Sequence, residues 1–440
     1  MKFGVNIEFF EPSKPDDLRK GKLLEDEKSR NLIEFEGSWI DFFKPIEVLL
    51  AKAIGTKELY TLVNCVFERS EGSQIRFVIN ELYKGAYLSK VTVADCKGAT
   101  ARFSGLTEWI NKSRISIEMA LPNEWVRISS KKMFEKNIRI GKDMTLVLGA
   151  FCNHRTSYRQ VILTNESQVS FSVDKPLSRL QVQENIFAFY KFLSLFTERI
   201  PRLIDLEFQF EDQNIVKCLH YKPIDISEND SLLSLDQFEE HLAGMLNVFY
   251  SKKEKFEKII DLLNASIQNK TAEISFLNIT TAFEVYHQSF QESGNTALRQ
   301  RLAAELNEAG LMKEIPKEWT QILRHFHLFK LVENIEFFQK NFSTPLATIT
   351  RLRSSRNYYT HYNKKGKEVW SPNALLYMNM KLRQLIKGVL LIEMQMPVTL
   401  INRLLNNRAA IIVHMYEKNE YSAHYKAEDT EVIDPSIDSD

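Results

Sequence analysis

The chain has 440 residues, 44% of them hydrophobic and 26% charged, the make-up of a globular protein with length for two or three domains and a substantial core. Its formal net charge of +1 supplies no global field toward nucleic acid or membrane, so a role at either has to come from a local patch. Four scattered cysteines (Cys65, Cys96, Cys152, Cys218) form no CxxC, which speaks against a disulfide framework and against a zinc ribbon.

The opening run, MKFGVNIEFFEPSKPDD, has no continuous apolar core, so no secretory leader is expected. No stretch of about 18 apolar residues follows anywhere, so no transmembrane helix is expected and the location expected is cytoplasmic. The first ~175 residues read mostly as short strands rich in β-branched and aromatic residues: FGVNIEF, RNLIEFEG, LYTLVNCVF, IRFVIN, KVTVADC, RISIEMA, NIRIG, MTLVLGAFC, RQVILTNE and QVSFSV. IEVLLAKAI among them reads as a short helix. Many strands without intervening helices point to an antiparallel sandwich or barrel-like sheet. A helix is expected at LSRLQVQENIFAFYKFLSLF, then strands at IDLEFQF and IVKCLHY, then an acidic linker at DISENDS. Cys152-x-His154 and Cys218-x-His220 would share a strand face, but the pairs fit chance as well as they fit a metal, and no metal or cofactor is expected.

From about Leu235 the spacing becomes helical. DQFEEHLAGMLNVFYSKKEKFEKIIDLLNASI, EISFLNITTAFEVYHQSF, TALRQRLAAELNEAG, EWTQILRHFHLFKLVENIEFFQKNF, LATITRLRSSRNYYTHY, ALLYMNMKLRQLIKGVLLIEM and VTLINRLLNNRAAIIVHMY are separated by Gly294, Gly310, Pro316, Pro345, Gly366, Pro372 and Pro397. The fold class expected is therefore α+β. A β-rich, sandwich-like domain over residues 1–225 precedes an all-α bundle over 232–416, and an acidic tail over 417–440 lacks bulky aromatics and reads as disordered.

The stretch RSSRNYYTHYNKK, residues 353–365, concentrates the chemistry. On a helix from Leu346 to Tyr362, with Leu346 at 0°, Ile349 falls near about 300°, Leu352 near about 240° and Tyr359 near about 220°, and Arg356 sits among them near about 280°. Asn357 and His361 fall together on another face, near about 20° and 60°. Arg356 thus occupies an apolar seam, where an unpaired guanidinium is costly. It also lies about 140° from His361, so a straight helix does not bring the two together. Two readings fit these angles. In one, Arg356 is structural and pairs with a carboxylate, Tyr359 is core, and His361 merely ends a helix. In the other, Arg356 and His361 are parts of one site.

The spacing Arg356-Asn357-x-x-x-His361 resembles the R-x4-6-H motif of HEPN domains, in the form with a polar residue after the arginine. The resemblance implies an α-helical bundle, metal-independent ribonuclease activity and assembly into dimers or larger species. The whole organisation resembles the ApeA family of bacterial anti-phage proteins, in which a β-rich N-terminal region precedes an Apea-type HEPN domain. FLNITTAFEVYHQSF resembles the earlier helix of that domain, with Glu284 near its middle; Glu284 reads equally as a partner that orients Arg356 and as a surface acid.

Metal-free RNA cleavage needs a base near neutral pH to deprotonate the 2′-OH and a cation for the developing charge on phosphorus. His361 suits the first role, since imidazole titrates near ~6.5. Arg356 suits the second, since its charged fork matches phosphate oxygens. Asn357 would hold the imidazole tautomer or bind phosphate. The products expected are a 2′,3′-cyclic phosphate and a 5′-hydroxyl. Between Arg351 and Lys387 lie nine basic residues (Arg351, Arg353, Arg356, Lys364, Lys365, Lys367, Lys381, Arg383, Lys387) against the one acid Glu368, a surplus of nine minus one, or +8. Arg353, Lys364, Lys365 and Lys367 are the expected phosphate contacts. Tyr358, Tyr362 and Trp370 are the expected stacking faces for unpaired bases. His325-x-His327 would point apart on a helix, and GxxxxGK[ST], GxSxG and HExxH do not occur.

With this chemistry, the resemblance to the ApeA family implies an endoribonuclease of anti-phage defence acting by abortive infection. Its expected substrate is RNA, with tRNA anticodon loops the first to test. Its expected partners are a second copy of the chain through the helical domain and a phage-encoded trigger at the strand-rich half. Two alternatives stay open: a non-catalytic HEPN-like module binding RNA or protein, and the toxin of a toxin–antitoxin pair.

Overall fold

The computed structural model describes residues 3–27, 30–37, 44–88, 94–112, 115–120, 125–157, 160–197, 199–212, 214–219, 232–290, 304, 328–342, 345–361 and 369–406. The chain divides into two units: Met1–Leu193 with Pro201–Ser231, and Ser194–Ile200 with Leu232–Asp440.

The first unit is β-rich. Its strands are β1 (Phe3–Phe10), β2 (Arg19–Glu25), β3 (Asn31–Glu36), β4 (Ile46–Ala53), β5 (Leu59–Glu71), β6 (Gln74–Lys84), β7 (Ala94–Phe103), β8 (Ile115–Ala120), β9 (Trp125–Ser130), β10 (Phe134–Ile140), β11 (Met144–Ser157), β12 (Gln160–Ser178), β13 (Leu203–Phe210) and β14 (Ile215–Cys218). Twelve of them form one antiparallel sheet in the order β10-β11-β12-β7-β13-β14-β6-β3-β2-β1-β4-β5, and a further β5–β6 pairing joins the last strand back to β6. The six strands β6-β3-β2-β1-β4-β5 therefore close into a barrel-like ring, and the other six continue as an open sheet from the far end of β6. Alternation explains the ring's interior: every second side chain faces inward. Ile7, Phe9, Phe35, Phe77, Leu62 and Ile79 belong to its buried cluster. Phe9 and Phe77 both lie close to Phe35, at 5.1 and 6.0 Å between ring centroids. Strands β8 and β9 make a separate two-stranded ribbon.

Two helices belong to this unit, α1 (Leu106–Ile110) and α2 (Arg179–Leu193). Val182, Ile186, Phe189 and Phe192 bury one stripe of α2, and Trp109 of α1 meets Phe189 edge-on at 6.1 Å. The expected helix at IEVLLAKAI is instead β4, which pairs with β1 on one side and β5 on the other. Pairing on both edges outweighs the helix preference of its Leu and Ala residues. Gly98 in β7 permits close strand approach: a Cβ there would lie 2.2 Å from the carbonyl oxygen of Phe171.

The second unit is helical, so the fold class is α+β, with a barrel-like sheet region ahead of a helical bundle. Its elements are α3 (Leu242–Ser251), α4 (Lys253–Gln268), α5 (Ala272–Phe290), α6 (Glu336–Asn341), α7 (Pro345–His361) and α8 (Pro372–Glu393), and the backbone is helical again over 398–406. Residues 194–200 join this unit through Phe196, which stacks on Phe238 at 5.0 Å. Helix α8 lies deepest. It begins with Pro372 behind a Ser371 cap whose hydroxyl accepts from the Ala374 amide, and it buries Leu375, Leu382, Leu385, Ile386, Val389 and Leu390. Asn379 of α8 donates to the Ala272 carbonyl of α5 at 2.8 Å, and Tyr286 of α5 donates to Glu393 of α8 at 2.7 Å. Both steps run forward along both helices, so α5 and α8 lie parallel.

The expected helix over 296–310 apart from residue 304, residues 318–327 of the one over 318–342 with the His325 and His327 pair, residues 407–416 of the one over 398–416, the linker DISENDS and the tail 417–440 lie outside the described residues; the rest of the 318–342 segment is not one helix but is helical over 328–331 and 336–341 with a turn between. No described helix is long and apolar enough to cross a membrane.

Candidate active site

The site is built on the end of α7. Ile349, Leu352, Ser355 and Tyr359 form its buried stripe. These positions recur every three to four residues, as one helix face requires. Arg356 sits at the edge of that stripe, with 23% of its side chain exposed.

The carboxylate that a half-buried guanidinium calls for is Glu284 of α5. Nη2 of Arg356 lies 2.8 Å from Oε1 and donates to Oε2 at 3.0 Å, so one nitrogen spans both oxygens. Among the described residues, Nε and Nη1 of Arg356 take no part in this contact.

Asn357 and His361 are exposed, one helical turn apart on one face. Arg356 and His361 stay separated, by about 140° around the axis and ~7.5 Å along it. Tyr358 is half-buried, with its ring edge-on to Tyr359 at 4.9 Å. Arg353 is also half-buried. Tyr362, Lys364, Lys365 and Lys367 lie outside the described residues.

Two expectations are corrected. Trp370 is 2% exposed and meets Phe276 edge-on at 5.9 Å, so its indole is core and offers no face to a base. The +8 surplus does not form one surface. Lys381 and Lys387 are buried, and Lys381 lies 4.3 Å over the Tyr377 ring. Arg383 donates to the Ser266 carbonyl, to Ser266 Oγ at 3.0 Å and to Ser275 Oγ at 2.7 Å. It thereby caps the end of α4 and ties it to α5. A count of charges along the sequence cannot see this; the signal available was the apolar run around Lys381, Arg383 and Lys387, which marks a central helix.

Among the described residues no group of three or more His, Cys, Asp or Glu is placed to hold a metal. Cys218 is buried and Cys152 half-buried; His220 and the side chain of His154 lie outside the described residues.

No curated protein matches the chain. Two family models do: ApeA N-terminal domain 1 over residues 7–262, and Apea-like HEPN over residues 277–400. The first covers the sheet from the middle of β1 onward, with α3 and more than half of α4. The second contains Glu284, Arg356, Asn357 and His361. With more than half its length in the first match and its RNxxxH helix in the second, the chain belongs to the ApeA family, an ApeA N-terminal domain followed by an Apea-like HEPN domain.

Proposed function

We propose that this protein is a metal-independent endoribonuclease of anti-phage defence. Family membership supports the defence role and a nuclease-like HEPN domain. One observation carries the chemical reading: Arg356 is held against Glu284 on one side of α7, while His361 and Asn357 stand exposed on another.

In this reading His361 takes the proton from a ribose 2′-OH. The oxygen attacks the adjacent phosphorus, and the 5′-oxygen of the next nucleotide leaves and takes a proton from water, while the imidazolium gives its proton back to solvent. The cut ends are a 2′,3′-cyclic phosphate and a 5′-hydroxyl. Arg356, oriented by Glu284, presents its remaining N–H groups to the phosphorane oxygens. Asn357 sits one turn before His361, where its amide would fix the imidazole tautomer or hold phosphate. Because Arg356 and His361 diverge on one helix, a second copy related by a two-fold axis completes the site, and the functional unit is a homodimer. Tyr358 and Tyr362 stack on unpaired bases, and Arg353, Lys364, Lys365 and Lys367 hold the backbone. The substrate is structured RNA with an exposed loop, first of all a tRNA anticodon loop, and the N-terminal domain responds to a phage component.

End-mapping of RNA from phage-infected cells tests this. Cells carrying the wild-type protein should accumulate loop-cut RNAs, and cells carrying His361→Ala should not. Equal fragment levels in both would refute the reading. A second reading, a non-catalytic RNA- or protein-binding module, draws support from the half-buried Arg356–Glu284 pair, which suits a structural arginine as well.

A further inference from the structure

Helix α7 is described as far as His361, and where the described chain resumes, Trp370 is bound to it. Two hydrogen bonds fix the return. The Trp370 amide donates to Ser355 Oγ at 2.9 Å, and the Tyr359 hydroxyl donates to the Trp370 carbonyl at 2.8 Å. Both backbone groups of one residue are thus bound by side chains one helical turn apart on α7. All three residues are buried: Ser355 at 0%, Tyr359 at 6% and Trp370 at 2% exposure. Phe276 of α5 closes the arrangement, edge-on to Tyr359 at 6.3 Å and to Trp370 at 5.9 Å. The next residue, Ser371, caps α8.

We propose that Ser355 and Tyr359, acting through the backbone of Trp370, are positioning residues of the site: a buried clasp that holds the last turn of α7 closed and so fixes where His361 points relative to Arg356. The inference rests on the ribonuclease reading above and adds to it. A helix end leaves its last four carbonyls without intrahelical donors, and an unrestrained last turn opens readily. Here Tyr359 sits inside that last turn, two residues before His361. Unwinding past Asn357 would draw its ring away from Phe276 and strand a buried phenol and a buried carbonyl without partners. The clasp therefore opposes unwinding back to Asn357, a route that would bring Arg356 and His361 of the same chain closer. Each chain keeps the two groups apart, as a site shared with a second copy requires.

The test uses the full-length protein with Tyr359→Phe, which removes only the hydroxyl, and Ser355→Ala, which removes the other bond. Hydrogen exchange over residues 357–361 is read first, then steady-state cleavage of a synthetic RNA hairpin. Each variant should speed exchange in that turn and lower kcat about tenfold with KM little changed, since a shifted group loses rate more than affinity. Unchanged exchange in both variants overturns the clasp. Faster exchange with unchanged kcat overturns its positioning role. If the wild-type protein cuts no RNA, the ribonuclease reading fails by itself, and the exchange measurement still decides whether the clasp exists. If one variant fails to fold by circular dichroism, the other carries the test.

Discussion

Nη2 of Arg356 lies 2.8 Å from one carboxylate oxygen of Glu284 and 3.0 Å from the other, linking α7 to α5 with a single guanidinium nitrogen. Both side chains keep about a quarter of their surface in solvent, at 23% and 27%. Water screens such a pair, so its worth to stability is small, about 1 kcal/mol or less. Its worth to orientation is larger, because a long arginine side chain otherwise samples many rotamers.

Glu284→Gln separates these two effects. The amide keeps the shape and removes the charge. Thermal denaturation should move by a few degrees at most, while single-turnover RNA cleavage should fall by roughly tenfold, equivalent to about 1.4 kcal/mol in the barrier. Cleavage at the wild-type rate would show that Glu284 does not orient Arg356.

The separation of Arg356 and His361 gives a complementation test. Arg356→Ala and His361→Ala are each expected to be inactive. In a mixed dimer, a site drawing its arginine from one chain and its histidine from the other is intact once and doubly defective once. Mixing the two inactive proteins should therefore restore a clear fraction of activity. No recovery, with mixed dimers demonstrated by mass spectrometry, would place both groups in one chain.

The buried lysines and the rim arginine differ in what salt does to them. Arg353→Ala should lower the salt slope of RNA binding by about one phosphate contact. Lys381→Met should leave the slope unchanged, because Lys381 is buried under Tyr377 and beside Phe342. Filter binding across a salt series reads both slopes directly.

How much of this was legible in the sequence varies from element to element. Strands such as β5 and β11 announce themselves by runs of β-branched and aromatic residues. Strand β2, RKGKLLE, does not: it is mostly charged, and only its place between β1 and β3 makes it a strand. The helical spacing of α7 placed Ile349, Leu352 and Tyr359 inside, and Asn357 with His361 outside, before any coordinates were needed. It left Glu284 open between a partner of Arg356 and a surface acid, and the contact across α5 and α7 decides for the pair. The clasp was not legible. It joins Ser355 to Trp370 across fifteen residues, and no local periodicity encodes a hydroxyl that binds a distant amide. For the same reason Trp370 reads as an exposed aromatic in sequence and is core in the fold.

The cysteines supply a prediction for the N-terminal unit. Burial pushes the Cys65 thiol up from 9.0 to about 12 and the Cys96 thiol from 9.0 to about 11, and burial raises Cys218 as well. A raised folded value favours the neutral thiol. Its contribution to stability is complete below about pH 9 and is lost as pH climbs through the folded values, so the protein should weaken toward urea between pH 9 and 12. At pH 8, iodoacetamide should modify half-buried Cys152 first and reach the other three only on unfolding, as peptide mapping would report. Equal labelling of all four in the folded protein would contradict the burial that underlies this.

The central claim is that the RNxxxH helix cuts RNA with no metal. It is tested most directly by incubating purified wild-type and His361→Ala protein with total RNA in EDTA and determining the chemistry of every new end. The account predicts discrete wild-type fragments with 2′,3′-cyclic phosphate and 5′-hydroxyl ends, and none with His361→Ala. Undiminished cleavage by His361→Ala, or wild-type cleavage that EDTA abolishes, would contradict it.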